Sequence, residues 1–138
     1  MKLEVRQVTE VTDSLLEAFG RLMPQLSPRL EAPSGVRLRA VAANPSAALF
    51  TAESGGAVVG ALTLVWYDVP SGRKAWIEDV VVDAAARGRG IGEALVREAL
   101  ALACREGVAR MMLTSNATRR AAHRLYERMG FVRYETDC

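Results

Sequence analysis

Apolar and polar positions alternate along Leu3-Glu4-Val5-Arg6-Gln7-Val8, the two-residue period of a half-buried strand. The period then lengthens. Leu15, Leu16, Phe19, Leu22 and Met23 recur at helical spacing, and Thr12-Asp13-Ser14 can cap the helix they predict. Pro24 and Pro28 are expected to interrupt it, because proline lacks the N–H that a helix interior needs. Gln25 to Gly35 therefore reads as a loop, and Val36 to Ala43 as a short second helix closed by Asn44-Pro45.

The middle of the chain is β-rich. Ala48 to Glu53 and Val58 to Trp66 flank Ser54-Gly55-Gly56-Ala57, which reads as a hairpin turn, and a second turn over Asp68 to Gly72 leads into Lys74 to Val82. Three antiparallel strands follow from this spacing. A Gly-rich turn comes next, then an amphipathic helix over about Ile91 to Glu106, with Ile91, Leu95, Ala99 and Leu102 on one face and Gly107 as its stop. Arg110 to Thr114 predicts a short strand, Thr118 to Met129 a last helix and Phe131 to Thr136 a last strand.

With 138 residues, 50% of them hydrophobic, the chain is expected to form a single domain over residues 1–138 with a core that needs no staples. Two cysteines and one histidine make neither a disulfide framework nor a metal spacing, so no metal site is expected. The first residues lack a signal-peptide run and no stretch approaches a membrane span, which predicts a cytoplasmic protein without a membrane partner.

Charge changes the picture through its placement. The net charge is +2, yet residues 83–133 carry ten arginines against five acidic residues, so this half suits an anion. No nucleic-acid partner is expected, because the basic residues alternate with Glu and few aromatics stand among them.

The sharpest local signal is Arg87-Gly88-Arg89-Gly90-Ile91-Gly92, between a Val-rich strand and a helix. Gly92, and with it Gly90, are read into the first helical turn, where glycine is unfavourable by up to ~1 kcal/mol relative to Ala. Unpaired N–H groups at a helix start can hold an anion, and the missing side chains let a pyrophosphate approach the backbone. The competing explanation is a tight turn that simply needs positive φ. A dinucleotide fingerprint fails on spacing, since Glu93 and Leu95 stand where the third glycine would be, and a P-loop fails for want of Gly-Lys-Ser/Thr.

This turn resembles the phosphate turn of the GNAT superfamily of N-acetyltransferases, Arg/Gln-x-x-Gly-x-Gly/Ala after a strand. Ala122-His123-Arg124-Leu125-Tyr126-Glu127-Arg128-Met129-Gly130-Phe131 resembles the C-terminal Leu-Tyr-Glu-x-x-Gly-Phe pattern of the same family. The order of elements over residues 1–136 agrees, and the wording is closest to a bacterial group with an Ile-Glu-Asp-Val-Val-Val strand. The resemblance implies an α/β (α+β) fold, a mixed and mostly antiparallel central sheet flanked by helices. It further implies acetyl-coenzyme A as donor and a small-molecule or peptide amine as acceptor, with direct transfer in a ternary complex. A non-catalytic acyl-coenzyme A sensor is the alternative.

By the family pattern, the backbone of Arg87, Gly88, Arg89, Gly90, Ile91 and Gly92 holds the pyrophosphate, and Val80, Val81 and Val82 pair with the pantetheine arm. An oxyanion donor is expected among the N–H groups near Val80 or Val81. Glu78 is the expected general base, at a place where the sheet is expected to splay; simple alternation puts its side chain on the face of Val80 and Val82, with Asp79 opposite. Tyr126 matches the general acid that would protonate the departing thiolate.

Two departures stand out. Where many relatives carry Asn seven residues before the tyrosine, this chain has Arg119; Asn116 is the nearest Asn and is carried as a cofactor contact, with Arg119 or Arg120 expected near a phosphate. Only Asp137 and Cys138 follow the predicted last strand, where relatives add another, so the acceptor pocket is expected to be open or completed by a second subunit in a homodimer. His123 is expected on a solvated face, Cys104 has no nearby base, and Ser115 lacks a nucleophile elbow. Trp66, Trp76 and the methionines read as core or interface.

Overall fold

The computed structural model describes residues 2–114 and 132–134. In chain order the elements are β1 (Leu3–Gln7), α1 (Asp13–Leu26), α2 (Gly35–Ala43), β2 (Ala47–Ser54), β3 (Ala57–Val69), β4 (Gly72–Val82), α3 (Ile91–Arg105), β5 (Arg110–Thr114) and β6 (Val132–Tyr134). They build one sheet in the order β1-β2-β3-β4-β5-β6. The first four strands pair antiparallel, whereas β4 with β5 and β5 with β6 pair parallel. This is the mixed, mostly antiparallel sheet that the family resemblance implies, and it contains the three antiparallel strands that the spacing predicts.

Helices cover both faces, and the alternation of each strand divides the core accordingly. On one face Phe50, Leu62, Leu64, Ala75 and Ile77 meet Ile91, Leu95, Val96 and Ala99 of α3. On the other, Leu49, Val58, Ala61 and Val81 meet Leu15, Phe19 and Leu22 of α1 and Leu38 of α2. Both turns expected between the three central strands are present, and their strands run longer than predicted, β3 reaching Val69 and β4 starting at Gly72.

The end of α1 also differs. The first helix does not stop at Pro24 but runs on to Leu26. Pro24 falls in the last turn, so the one bond it removes, from its own position to Gly20 O, leaves the rest of the helix ladder intact. That turn is closed instead by Ser27 N–H donating to Met23 O (3.2 Å) and by Gln25 Nε2 donating to Arg21 O (3.2 Å). The predicted helix over Thr118 to Met129 lies outside the described residues.

Candidate active site

Between β4 and α3 the chain makes a single turn of 3-10 helix over Ala84–Ala86, which the sequence reading does not include. Asp83 starts it by accepting from Ala85 N–H (3.1 Å). The glycine turn then follows, with Gly88 at φ +83° and Gly90 at φ +76°. Gly90 is therefore the cap before α3 rather than part of its first turn; its left-handed backbone is a conformation that a side chain disfavours. No side chain caps this helix, so the N–H groups of its first turn have no partner within it. A methyl group built on Gly88 or Gly90 would meet nothing within 4 Å among the described residues, which leave the space over the turn open. Both positive φ and open space thus belong to the same two glycines, and the shape fits a pyrophosphate held by backbone N–H groups. Arg87 and Arg89 flank the turn, both exposed. Arg89 also borders a cavity of about 240 Å³ together with Leu3, Ser54 and Ile91.

Three residues that the sequence reading passes over place this turn. Arg21 of α1 donates to Asp83 Oδ2 (2.7 Å) and to Val58 O (3.1 Å), and Gln25 Oε1 accepts from Ala84 N–H (2.8 Å). Gly60 of β3 faces the start of α3: an added methyl group would stand 3.1 Å from Ile91 Cγ2, 3.2 Å from Leu95 Cδ1 and 3.2 Å from Val81 O. Glycine lets the helix start lie this close to the sheet, and any Cβ here would require Ile91, Leu95 or the Val81 carbonyl to give by a few tenths of an ångström. A glycine inside a strand is the signal that could have found it, whereas Arg21 and Gln25 look like any polar residues on a helix surface.

The expected base sits at a bulge. Thr63 pairs with Glu78 and Ala61 with Val81, so Asp79 and Val80 together oppose Leu62. Asp79 has φ +50°, the left-handed conformation that accommodates the extra residue. The bulge corrects the alternation argument. Ala75 and Ile77 face α3 before it and Val80 and Val82 after it, while Val81 packs beneath α1. Glu78, next to Ile77 and opposite Thr63, therefore shares a face with Val81 and not with Val80 and Val82.

Glu78 also stands where the sheet opens. The pairing of β4 with β5 ends at Ile77 with Leu113, although β5 continues to pair with β6 through Thr114. Glu78 is exposed as a residue, but its carboxyl is partly withdrawn from water, and this, together with the neighbouring Asp79 charge, raises its pKa from the ordinary glutamate value. Tyr126, Asn116 and Arg119 lie outside the described residues. The structure thus brings Glu78, the Val80–Val82 segment and the glycine turn to one end of β4.

The chain matches the model of the Acetyltransferase (GNAT) family over residues 9–131. It belongs to this family. Among its relatives, N-acetyltransferase 8 of Rattus norvegicus is 39% identical over 84 residues, which cover 59% of this chain and 38% of that protein. The chain spans less than half the length of the curated relatives it matches. A putative acetyltransferase from Agrobacterium tumefaciens str. C58 superposes with a TM-score of 0.81 at 27% identity, covering 98% of this chain and 96% of that one. An aminoglycoside acetyltransferase, HMB0005, from an uncultured soil metagenomic sample superposes with a TM-score of 0.79 at 26% identity, covering 100% and 96%. The chain therefore has the GNAT fold.

Proposed function

We propose that this GNAT domain is an N-acetyltransferase that moves the acetyl group of acetyl-coenzyme A to a primary amine by direct transfer in a ternary complex. The observation that carries the reading is the placement of Glu78, with its raised pKa, at the end of the β4–β5 pairing and on the same strand that leads into the uncapped glycine turn.

Acetyl-coenzyme A is a substrate here and supplies an activated acetyl thioester. The backbone of residues 87–92 binds its pyrophosphate, with Arg87 and Arg89 able to add charge-assisted contacts. Glu78 accepts a proton from the acceptor ammonium, leaving a neutral nitrogen; the C–N bond forms as the C–S bond breaks, and the departing sulfur takes a proton, for which the family pattern supplies Tyr126. Cys104 supports direct transfer. It lies fourteen residues along α3 from Gly90, which puts it about 20 Å from the turn at 1.5 Å per residue.

Incubating the protein with acetyl-coenzyme A and a panel of primary amines, with free thiol and acetylated amine both measured, tests the reading. Thiol release that depends on the amine supports it. Tight binding of acetyl-coenzyme A with no thiol release for any amine would instead leave a non-catalytic sensor.

A further inference from the structure

β1 stands at one edge of the sheet, opposite β6, with β2 as its neighbour on the inner side. The pairing of β1 with β2 runs without a register shift, and Val8 N–H, just beyond the strand, donates to Leu49 O (2.7 Å). In an antiparallel pair every second residue turns its N–H and C=O toward the partner strand. Glu4 and Arg6 therefore point their backbone groups inward with Val8, and Leu3, Val5 and Gln7 point theirs away from the sheet. Among the described residues none of these outward groups takes part in a hydrogen bond. Arg6 and Gln7 are exposed as well, so the row is open to another strand. The side chains alternate across it. Leu3 and Val5 lie partly buried against the α3 core, whereas Glu4 and Arg6 share the opposite face and bond each other there.

We propose that the occupant of this edge is a second copy of this chain, its β1 antiparallel to the first about a two-fold axis at Val5. Val5 then pairs with the partner's Val5, Leu3 with the partner's Gln7 and Gln7 with the partner's Leu3. All three positions carry outward N–H and C=O groups, so each pair exchanges two backbone hydrogen bonds. Charge selects this register. About Val5, Glu4 faces the partner's Arg6 and Arg6 faces the partner's Glu4, at positions between the bonded pairs where opposed side chains come closest. Moving the axis to Glu4 keeps the bonding phase but sets Glu4 against the partner's Glu4 and Lys2 against the partner's Arg6. Moving it to Arg6 sets Arg6 against the partner's Arg6. Like charges directly opposite disfavour both. An axis at Gln7 brings Glu4 against the partner's Glu10, and one at Leu3 overlaps only the first residues of the strands. On the other face Val5 meets the partner's Val5, which covers apolar surface that one chain leaves partly exposed.

Sedimentation equilibrium of the full chain over a range of micromolar concentrations tests the pairing, with charge reversal to read the register. The wild-type protein is expected to approach a mass near twice 15.0 kDa. Glu4→Lys and Arg6→Glu each put like charges opposite one another at both symmetry-related positions, so each should raise the dimer Kd about tenfold or more. The double variant Glu4→Lys/Arg6→Glu restores opposite charges and should recover most of the lost affinity. Both side chains are on the surface, so the variants should stay folded, which thermal unfolding checks. Val5→Pro removes an outward N–H without touching the β1–β2 ladder and should give a folded monomer. Amide hydrogen exchange locates the contact: the N–H groups of Leu3, Val5 and Gln7 should gain protection as concentration rises, while those of Glu4 and Arg6 are protected throughout. A mass of one chain at every concentration would overturn the proposal. So would a dimer that both single reversals leave unchanged, which would place the contact elsewhere, or single reversals that dissociate it without recovery in the double variant.

Discussion

Arg21 Nη1 lies 2.7 Å from Asp83 Oδ2, so the last turns of α1 are tied to the first residue beyond β4. The same carboxylate accepts from Ala85 N–H, so one side chain both starts the 3-10 turn and anchors it to a helix across the sheet. The contact is partly exposed, so Arg21→Ala should destabilise the fold by only about 1 kcal/mol, while leaving the glycine turn less firmly placed. Urea unfolding and acetyl-coenzyme A titration on the same variant measure both effects; the affinity is expected to fall several-fold.

Asp83 also predicts a pH dependence. The Ala85 N–H holds its carboxyl below the usual range, with Gln25 and Arg21 adding to this. A depressed folded-state pKa means stability that is fully present above the unfolded value, about 3.9, and lost as pH falls through the folded one. Asp83→Asn should therefore flatten the acid side of the stability profile below about pH 4.

Glu78 shifts the opposite way, because desolvation and then the Asp79 charge raise its pKa. A base must be ionised to act, so turnover should fall as pH drops through this raised value, with the acid limb above the ordinary glutamate value of about 4.3. Glu78→Gln should lower kcat by about 10²-fold or more and remove that limb. Asp79→Asn should keep activity and move the limb to lower pH, since one of the two causes is gone. Profiles of kcat against pH for the three proteins decide both points.

At Gly90 two substitutions separate backbone conformation from space. Gly90→Ala should destabilise by about 1 kcal/mol, because a Cβ disfavours the left-handed backbone. Gly90→Asn should recover most of that stability, since Asn tolerates this region. Both place a side chain over the turn, so both should weaken acetyl-coenzyme A binding, as calorimetry would show.

Gly60→Ala should act through packing instead. Its methyl group would press on Ile91, Leu95 and the Val81 carbonyl, all within 3.1–3.2 Å, and overpacking of this kind destabilises by about 1–3 kcal/mol. Thermal unfolding should show a lower midpoint. Raised KM for acetyl-coenzyme A would show that the start of α3 has shifted with it.

Most of the fold is legible in the sequence because its elements declare themselves by period. The strand of Leu3 to Val8, the two central hairpins and the Ile91-Leu95-Ala99-Leu102 face each follow one rule over several residues. The glycine turn is legible for a similar reason, as three glycines in five positions have few explanations. What escapes is whatever depends on one residue acting across the sheet. Gln25 and Arg21 acquire their roles only when α1 docks beside Asp83 and Ala84. The run Ile77-Glu78-Asp79-Val80-Val81-Val82 carries no sign that one residue is inserted, because Asp79 differs from an ordinary strand residue only in its φ.

That insertion divides β4 into two phases. Upstream of Asp79 the odd-numbered residues Ala75 and Ile77 belong to the α3 core, and downstream the odd-numbered Val81 belongs to the α1 core. Deleting Asp79 would merge the phases and leave every other residue type in place. Glu78 would then run directly into Val80, with Ile77, Val80 and Val82 still toward α3 and Glu78 and Val81 still toward α1, so what the insertion supplies is a local bend and not a new assignment of faces. Asp79 thus works like a shim between two unaltered plates: one added residue turns the chain beside Glu78 while every apolar residue of β4 keeps the layer it faces.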